Sequence, residues 1–447
     1  MLTASAEKTL ILKNKKVTII GAQKSGLALA RLVRRLEGKV KISEQSKGEN
    51  ISEEEKKWFL DNQAVLELSG HTQSFIEDSD LVVLSPGVRF DALPVAWALK
   101  KGIPILGEIE FAFQFCSKPV IAVTGSNGKT TTVTLIRDLL KKADRRPCLC
   151  GNVGSPFSEH VLDSDKYDFF VLEVSSFQLE SLLEPDSVWR KPNSNNFYFK
   201  GFKPFIAMIL NISENHLDRH KDMEEYRRAK KRIFLNQDAA DYAILNGDDE
   251  GMKSLSAGVK SQVSFFNVIK GAEMEIFTNP NCVAVMEAAK IVDIHFGICR
   301  AVFLEFKGVE HRLEWVRAVD EIDFINDSKA TTAQAARWAL ERIHKPILMI
   351  CGGRDKHIDF TSLRDIVRTK VKKMFVIGEA KEKLKQSFGD VVALEECSNL
   401  EEAVLSARKN AQPKDCVLLS PMCTSFDMFA NFEERGKIFK EIVNKLN

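Results

Sequence analysis

Long hydrophobic runs are missing from this 447-residue sequence. The absence of any apolar stretch of about eighteen residues argues against a membrane-spanning helix. The N-terminal residues also lack the apolar segment and cleavage site of a secretory signal. An excess of one charge is missing too, because 64 Lys and Arg residues face 62 Asp and Glu residues and leave a formal charge of +2. No global field attracts nucleic acid or an acidic membrane, so we expect no nucleic-acid partner, with a local basic patch as the alternative.

Paired cysteines are also scarce. The nine cysteines are scattered and odd in number, and only Cys148 and Cys150 lie close together in sequence. A disulfide framework uses an even set of cysteines, and a structural zinc site needs a second close pair. The pattern is typical of a reducing compartment, so we expect a cytoplasmic protein without structural disulfides or zinc.

What the sequence does contain is a repeated alternation of short apolar strands with amphipathic helices, in three sections. At about 150 residues per domain, the length fits three domains. Strands are predicted at residues 17–20, 40–42, 81–84, 120–123, 169–172, 206–210, 242–245, 347–350, 374–377 and 417–419. Such alternation predicts an α/β fold of parallel sheets covered on both faces, with ligands at the carboxyl ends of the strands.

The most specific local pattern is a glycine turn between a strand and a helix, Gly125-Ser-Asn-Gly128-Lys129-Thr130. Its backbone N–H groups and the helix terminus suit phosphate oxygens, and the Thr130 hydroxyl suits Mg²⁺. The Lys129 charge should dominate, at about 4 kcal/mol for a separation of about 4 Å, against about 0.3–1 kcal/mol for the helix terminus. Val123 stands where the usual pattern begins with glycine, so the loop is a shorter variant. A plain turn entering a helix is the alternative.

Two further polar residues follow predicted strands of the same section. Glu173 comes directly after the strand at 169–172, and His216 lies shortly after the strand at 206–210. Because the carboxyl ends of parallel strands share one edge of a sheet, both should lie near the phosphate loop, where a carboxylate suits Mg²⁺. A solvated loop glutamate and a structural histidine remain the alternatives.

The N-terminal section has its own glycine turn, Gly21-Ala-Gln-Lys-Ser-Gly26, between a strand and a helix. The dinucleotide pattern G-x-G-x-x-G lacks its middle glycine here, because Gln23 stands in its place. Glu44 lies about where a ribose-binding acid belongs. A nicotinamide-dependent dehydrogenase is therefore an alternative interpretation of this section.

The segment 184–204 interrupts the alternation. Pro, Asn and Gly break it up, and aromatic residues cluster in it. It predicts a long surface loop or hairpin without a catalytic role.

In combination, these segments resemble the Mur ligase family of ATP-dependent, amide-forming ligases. The matching segments are, in order, TGSNGKTT, LEVSSFQLE, NHLDRH with His216 and Asp218, and YRRAK ending at Lys230. In the last section, NDSKAT, GGRDKHIDF, SPMCTSFD and NFEERG look like the member that adds D-glutamate to UDP-N-acetylmuramoyl-L-alanine. The resemblance covers nearly the whole chain.

The resemblance implies three α/β domains. These are a Rossmann-like UDP-substrate-binding domain at 1–107, a P-loop-type central ATP-binding domain at 108–308 and a Rossmann-like amino-acid-binding domain at 309–447. It also implies an ADP-forming ligase of peptidoglycan precursor synthesis that acts as a monomer through an acyl phosphate. The alternatives are another Mur-type or folylpolyglutamate-synthase-like ligase with a different acceptor, and a nucleotide-dependent regulator without ligase chemistry.

The same resemblance implies residue roles. Thr130 and Glu173 would hold one Mg²⁺, and His216 and Lys230 a second, with Lys230 carbamylated by CO₂ into an oxygen ligand. Catalytic roles would fall to Lys129, His216, Lys230 and Asn152. ATP would contact Gly125, Ser126, Asn127, Gly128, Lys129, Thr130, Thr131, Asn281, Arg312 and Asp327. The UDP-substrate would contact Ser25, Gly26, Glu44, Ser85, Pro86 and Gly87. D-Glutamate would contact Thr331, Lys356, Ser425 and Phe432, and a lysine there suits a carboxylate.

Two positions depart from the family pattern. Asn215 replaces the acid that commonly precedes the metal-binding histidine. The usual H-N-x-x-N segment is reduced to Phe277-Thr278-Asn279-Pro280-Asn281, where only Asn281 matches.

Overall fold

The computed structural model describes residues 12–49, 51–188, 199–213, 219–269, 276, 278–355 and 358–446. The chain divides into two compact units, Met1–Phe306 and Lys307–Asn447. The first unit contains two sheets and the second contains one. Within the part of the chain that is described, none of the helices combines the length and hydrophobicity needed to cross a bilayer. All nine cysteines are free and buried.

The N-terminal sheet has five parallel strands in the order β3-β2-β1-β4-β5. Its central strands bury Val, Ile and Leu side chains on both faces, as a covered parallel sheet requires. The strand order reverses beside β1, and this switch point opens a crevice at the carboxyl ends. Its elements are β1 Lys16–Ile20, α1 Lys24–Arg35, β2 Lys39–Ser43, α2 Glu53–Asp61, β3 Val65–Glu67, α3 Gln73–Glu77, β4 Leu81–Leu84, α4 Leu93–Lys101, β5 Ile105–Gly107 and α5 Glu108–Phe113.

The middle sheet has six parallel strands in the order β11-β10-β9-β6-β8-β7. Because β6 lies between β9 and β8, the loops that follow these three strands meet at one edge. The elements are β6 Val120–Thr124, α6 Lys129–Lys142, β7 Pro147–Gly151, β8 Phe169–Glu173, α7 Ser176–Glu180, β9 Ile206–Ile209, α8 Met223–Lys231, β10 Tyr242–Asn246, α9 Glu250–Leu255, β11 Gln262–Phe266, α10 Pro280–Ile291 and α11 Phe296–Glu305.

The third sheet has the order β12-β13-β17-β14-β15-β16. It corrects the expectation of purely parallel sheets, because β12 and β13 are antiparallel. They are joined by Asp320 and Glu321, both with positive φ (49° and 63°), the conformation of a two-residue hairpin turn. The elements are β12 Glu314–Val319, β13 Ile322–Asn326, α12 Ala333–Arg342, β14 Ile347–Gly352, α13 Arg364–Lys370, β15 Val371–Ile377, α14 Lys381–Phe388, β16 Ala393–Glu396, α15 Leu400–Asn410, β17 Cys416–Leu419 and α16 Phe432–Lys445.

All ten strands predicted from the sequence are present, with ends shifted by three residues at most. The sequence did not reveal the strands at the six sheet edges, nor β13, which pairs with the edge strand β12. Some of these edge strands, such as β3 and β5, have only three residues, and others, such as β11 and β12, are largely exposed, so they lack the long apolar run that marks a central parallel strand.

The predicted long loop at 184–204 lies partly outside the described residues, which omit 189–198. Its two flanks converge on Glu110, a fully buried residue of α5. The Glu110 carboxylate accepts hydrogen bonds from the backbone N–H groups of Leu183 (2.7 Å) and Phe202 (3.4 Å). The carboxylate therefore ties both ends of the segment to one point of the core.

Candidate functional site

The glycine turn between β6 and α6 adopts a conformation that side chains would obstruct. Gly125 and Gly128 both have positive φ (154° and 82°). A Cβ atom on Gly128 would lie 2.4 Å from Oδ1 of Asn281. The Lys129 ammonium folds over the turn and donates to the carbonyls of Gly125 (2.8 Å) and Ser126 (3.1 Å). The turn thus combines the α6 N-terminus with a lysine charge, the features that bind phosphate.

The segment after β9 holds this turn in place. Asn127 N–H donates to Oδ1 of Asn211 (2.8 Å), and Nδ2 of Asn211 donates back to the Asn127 carbonyl (3.1 Å). The Ser126 hydroxyl donates to the Ser213 carbonyl (2.9 Å) and lies 3.1 Å from the Tyr226 hydroxyl. The turn is therefore shaped before any ligand arrives, which lowers the entropy cost of binding.

Glu173 lies at the end of β8, directly beside the turn, and is 3% exposed. Its Oε2 accepts a hydrogen bond from the Thr130 hydroxyl (2.7 Å), and its Oε1 accepts one from Nδ2 of Asn152 (2.7 Å). Gly151 permits this approach, because a Cβ there would lie 2.5 Å from the Glu173 carbonyl. A carboxylate and a hydroxyl at a phosphate-binding turn are hard oxygen donors, and they fit Mg²⁺.

Lys230 on α8 is a buried lysine at the same edge of the sheet, with 1% exposure. Its Nζ donates to the Gly125 carbonyl (3.0 Å) and lies 4.6 Å from the centre of the Tyr226 ring. Desolvation and the nearby Lys129 charge lower the pKa of Lys230 well below its ordinary value, and Glu173 only partly opposes them. Such an amine is readily deprotonated, but it offers a hard metal no oxygen.

His216 and Asp218 lie outside the described residues. The structure resumes at Arg219 and His220, and the buried His220 lies 3.0 Å from the Ser176 hydroxyl through its Nε2.

Of the remaining residues predicted to contact ATP in the first unit, Thr131 lies in the first turn of α6, half buried. Asn281 lies in the first turn of α10, beside Gly128, and accepts a hydrogen bond from the Thr132 hydroxyl (3.4 Å). Phe277 of the degraded segment is outside the described residues.

The N-terminal sheet carries a cavity of about 640 Å³ at its switch point. Glu44, Ser85 and Gly87 line it, whereas Ser25, Gly26 and Pro86 are not among its lining residues. Gly26 is buried against the Gly21 backbone, where a Cβ would lie 1.9 Å from the Gly21 carbonyl oxygen. Its role is close packing of α1 on β1.

Sequence reasoning missed three large side chains that also line this cavity, His71, Arg89 and Trp97. The sequence offered no usable signal for His71, because this residue lies in the loop after β3, a strand that the sequence did not reveal. The Glu44 carboxylate accepts hydrogen bonds from the N–H groups of Ala22 (2.7 Å) and Ser46 (2.9 Å). Although partial desolvation opposes them, these bonds hold the pKa of Glu44 below its ordinary value.

Arg219 connects the cavity wall to the middle sheet, and sequence reasoning missed it. Its guanidinium donates to the carbonyls of Gly87 (3.1 Å) and Val88 (3.3 Å). It also pairs with Glu180 on α7 at 2.8 Å and stacks 4.3 Å from the centre of the Phe177 ring. One side chain therefore joins the cavity to the helix that follows Glu173.

In the second unit, β13, β17 and β14 are neighbours, so the loops after them share one edge. Asp327 directly follows β13 and accepts hydrogen bonds from Leu313 N–H (3.2 Å) and the Ser420 hydroxyl (3.0 Å). Burial raises the pKa of Asp327 to about 7. Arg312 lies near this carboxylate and stacks 5.2 Å from the centre of the Trp338 ring.

Thr331, Ser425 and Phe432 lie on the loops and helix start at this edge, whereas Lys356 is outside the described residues. Ser425 is buried and Thr331 is half buried. Phe432 begins α16, and its carbonyl accepts the Ser328 hydroxyl (2.8 Å).

A buried arginine braces this edge, and sequence reasoning missed it as well. Arg435 has no exposure, and it donates to the Ser328 hydroxyl (3.0 Å) and carbonyl (2.9 Å) and to the Cys423 carbonyl (3.2 Å). Its guanidinium fixes the loop after β13 against the loop after β17. It matches the NFEERG segment, which was the available signal.

Comparison with known proteins gives matches to three family profiles. The Mur ligase middle domain matches residues 123–299. The Mur ligase, glutamate ligase domain matches 311–423, and the MurD N-terminal domain matches 16–93. A UDP-N-acetylmuramoylalanine--D-glutamate ligase of Caldicellulosiruptor bescii is 38% identical over 97% of this chain and 98% of that relative. The chain belongs to the Mur ligase family.

A second relative of the same name, from Pelotomaculum thermopropionicum, is also 38% identical and covers the same shares, 97% and 98%. Among solved structures, the UDP-N-acetylmuramate-alanine ligase of Thermotoga maritima aligns over 96% of this chain and 99% of that chain, with a TM-score of 0.56 and 16% identity. That structure shares the three-domain α/β fold of the Mur ligases, which confirms the predicted fold class.

Proposed function

We propose that this Mur ligase joins D-glutamate to UDP-N-acetylmuramoyl-L-alanine with ATP, in peptidoglycan precursor synthesis. The observation that carries the ligase chemistry is the convergence of Lys129, Glu173 and Lys230 at the carboxyl edge of β6 and β8. The substrates follow from the relatives, which are D-glutamate ligases similar over nearly their whole length. ATP is a co-substrate, and the glycine turn must bind and orient its phosphates.

The reaction needs an activated carboxyl group, because a carboxylate has no good leaving group. The L-alanine carboxylate of the UDP-linked substrate attacks the γ-phosphorus of ATP, forms a new O–P bond and releases ADP. The D-glutamate amine then attacks the acyl carbon and forms the C–N bond. The tetrahedral intermediate expels phosphate, and the amine proton leaves to a base or solvent.

The glycine turn acts on the first of these steps. Its backbone N–H groups and the α6 terminus orient the phosphates, and Lys129 swings from the Gly125 and Ser126 carbonyls to the transferring group. Asn152, whose Nδ2 donates to Glu173 at 2.7 Å, is proposed to donate to the acyl phosphate as well. Preformed donors need little reorganisation at the moment of reaction.

Glu173 and Thr130 are the proposed ligands of one Mg²⁺, with His216 and Lys230 at a second. Bound there, Mg²⁺ would offset negative charge on the phosphates. The buried oxygen pair of Glu173 and Thr130 supports the first site. The second site depends on modification of Lys230, because an amine is a poor ligand for this ion.

The lowered pKa of Lys230 supports its carbamylation. A neutral amine adds to CO₂, forms an N–C bond and loses a proton, which leaves an anionic carbamate. The same amine as an ammonium ion cannot react. Burial against the Gly125 carbonyl and the Tyr226 ring therefore prepares the side chain for this step.

The second unit is proposed to supply the remaining contacts. Arg312 and Asp327 would contact ATP, and Thr331, Lys356, Ser425 and Phe432 would contact D-glutamate. In the first unit, Ser25, Gly26, Glu44, Ser85, Pro86 and Gly87 are proposed for the UDP-substrate, and Asn281 and Thr131 for ATP. We keep the domain boundaries at 107/108 and 308/309, the chain as a monomer and its location as cytoplasmic as parts of this proposal.

The test is phosphate release from ATP in the presence of UDP-N-acetylmuramoyl-L-alanine and each amino acid in turn. D-Glutamate should support release, whereas L-glutamate, L-alanine and L-lysine should not. Release only with another amino acid would remove the D-glutamate specificity but keep the ligase class. Use of a folate acceptor would favour the folylpolyglutamate-synthase-like alternative. ATP hydrolysis that ignores every carboxylate substrate would indicate a regulator instead.

A further inference from the structure

We propose that His71 reads the imide N3–H of the uracil ring and so makes the N-terminal cavity selective for uridine over cytidine nucleotides. The inference rests on the proposed function, since it concerns how the UDP-linked substrate is recognised. It names a residue that the sequence patterns did not mark. This role follows from a series of hydrogen bonds from His71 through Ser43 to Glu67. Their donors and acceptors leave one ring nitrogen of His71 without a proton, so that this nitrogen is an acceptor.

His71 lies at the end of the cavity where a nucleotide base belongs. In a parallel sheet of this order, phosphates lie at the turn after β1, the ribose lies by the acid after β2, and the base lies further outward over β2 and β3. His71 follows β3, lines the cavity with Glu44, and belongs to a turn whose Gly70 N–H donates to the Glu44 carbonyl (3.2 Å). The base would thus meet His71 next after Glu44.

The direction of the hydrogen bonds below His71 is fixed by the Glu67 carboxylate. The Ser43 hydroxyl donates to Oε2 of Glu67 at 2.5 Å, and Thr72 donates its N–H to Oε1 at 3.0 Å. A hydroxyl has a single proton, so Ser43 cannot also donate to His71. The 2.7 Å contact between Ser43 Oγ and His71 Nδ1 must therefore be an N–H donated by the imidazole.

This arrangement sets the tautomer of the neutral ring. With its proton on Nδ1, the neutral ring leaves Nε2 with a lone pair. Nε2 points away from Ser43, and it makes no hydrogen bond to any of the residues that the structure describes. Desolvation lowers the pKa of His71, and the facing carboxylates of Glu67 and Glu44 only partly oppose this. The ring is neutral at physiological pH, so its Nε2 is an unprotonated acceptor on a residue that lines the cavity.

An acceptor at this point distinguishes the two pyrimidines. Uracil carries a donor at N3, whereas cytosine carries a lone pair there. The Nε2 atom of a neutral His71 accepts a hydrogen bond from uracil N3–H. With cytosine, the lone pair on Nε2 faces the lone pair on N3, and no hydrogen bond forms. A site built to hydrogen-bond one partner rejects the other strongly, because a buried polar group is left unsatisfied.

The experiment is calorimetric titration of the full chain with UDP and with CDP at pH 7.5. The wild type should bind UDP about 5- to 150-fold more tightly than CDP. His71→Phe should bring this ratio close to one. His344→Phe, at an exposed histidine outside the cavity lining, is the matched control and should keep the wild-type ratio. A Ser43→Ala variant, which frees the tautomer without touching the cavity acceptor, should give an intermediate ratio.

The pH dependence of the same ratio gives a second readout. Below the lowered pKa of His71, Nε2 becomes a donor, so the preference for UDP should shrink as the pH falls from 7.5 through that pKa. Both nucleotides carry the same diphosphate, so its titration cancels in the ratio. The ratio in His71→Phe should not change with pH.

The outcomes separate this inference from the function it rests on. UDP binding with an unchanged ratio in a folded His71→Phe variant overturns the role of His71 and leaves the ligase proposal intact. A wild-type ratio near one overturns it as well. Failure of the wild type to bind UDP or the UDP-linked substrate would instead contradict the proposed function.

Discussion

The phosphate turn of the middle sheet and the cavity of the N-terminal sheet differ in how their polar groups are held. In the turn, functional side chains bond to one another or to the turn itself, as Glu173 does with Thr130 and Asn152. In the cavity, Glu44 is held by backbone N–H groups and faces about 640 Å³ of open volume. The functional side chains of the turn are thus held by one another, whereas those of the cavity are held by the backbone and face the space that a ligand would fill.

This difference predicts different responses to mutation. Removing one residue of the turn breaks bonds to a reacting group, so activity should collapse. Removing one residue of the cavity loses one contact among many, so affinity should fall modestly.

Lys129→Ala should lower kcat/KM for phosphate release about a thousandfold, because a charge about 4 Å from a phosphate contributes about 4 kcal/mol at an effective dielectric of about 20. Lys141→Ala, an exposed lysine in the last turn of the same helix, is the control and should stay within a few-fold of the wild type. Comparable losses in both variants would mean that helix α6, rather than the Lys129 charge, governs the activity.

The same difference explains why the sequence predicted the phosphate turn more completely than the cavity. Phosphate geometry dictates glycines and a lysine at fixed local spacing, so Gly125 to Thr130 could be recognised in one short segment. Glu173 was predicted because it ends a strongly apolar strand. Lys230 had no local signal, since its helix is simply basic, and only the resemblance assigned it a role.

The cavity could be predicted only in part, because its walls come from strand ends far apart in sequence. Glu44, Ser85 and Gly87 were predicted and do line it, while Ser25, Gly26 and Pro86 do not. His71 and Trp97 were not predicted, because the edge strands next to them in sequence, β3 and β5, have only three residues each and are too short to be recognised. The residues of such a site have no fixed spacing in the sequence, so no short sequence pattern identifies them.

Lys230→Ala should lower activity at least about a hundredfold, because it removes the amine that is proposed to be carbamylated. Lys231→Ala should have a mild effect, since that side chain is directed to the Ala257 carbonyl at 2.9 Å. The measurement is the same phosphate release, repeated in CO₂-depleted buffer with and without added bicarbonate. Bicarbonate should stimulate the wild type but not Lys230→Ala, and equal activity of the two variants would remove Lys230 from the site.

Arg219→Ala should raise KM for the UDP-linked substrate about tenfold and change kcat less. The guanidinium supports the Gly87–Val88 wall of the cavity, and its loss removes two hydrogen bonds and the ion pair with Glu180. The control is Arg228→Ala, an exposed arginine on α8. A fall in kcat larger than the rise in KM would contradict the proposed difference between the turn and the cavity, because it would place Arg219 in the reacting centre.

Glu44→Gln should give the smallest effect, a weakening of UDP binding by a few-fold together with a pH-dependent loss of stability. The hydrogen bonds from Ala22 and Ser46 hold the pKa of Glu44 below its unfolded value, so this carboxylate stabilises the fold above that unfolded value. The stabilisation is lost as the pH falls through the folded pKa.

Urea unfolding at a series of pH values measures this effect. Glu44→Gln should be less stable than the wild type by about 1 kcal/mol at pH 7, discounted for partial exposure, and the difference should vanish once the pH lies below the folded pKa of Glu44. Glu49→Gln, at an exposed glutamate outside the cavity lining, should show neither change. A loss in Glu44→Gln that persisted in acid would mean that the side chain acts by packing. The charge of Glu44 would then not order the turn after β1. Apolar packing, rather than the Glu44 carboxylate, would stabilise the cavity walls.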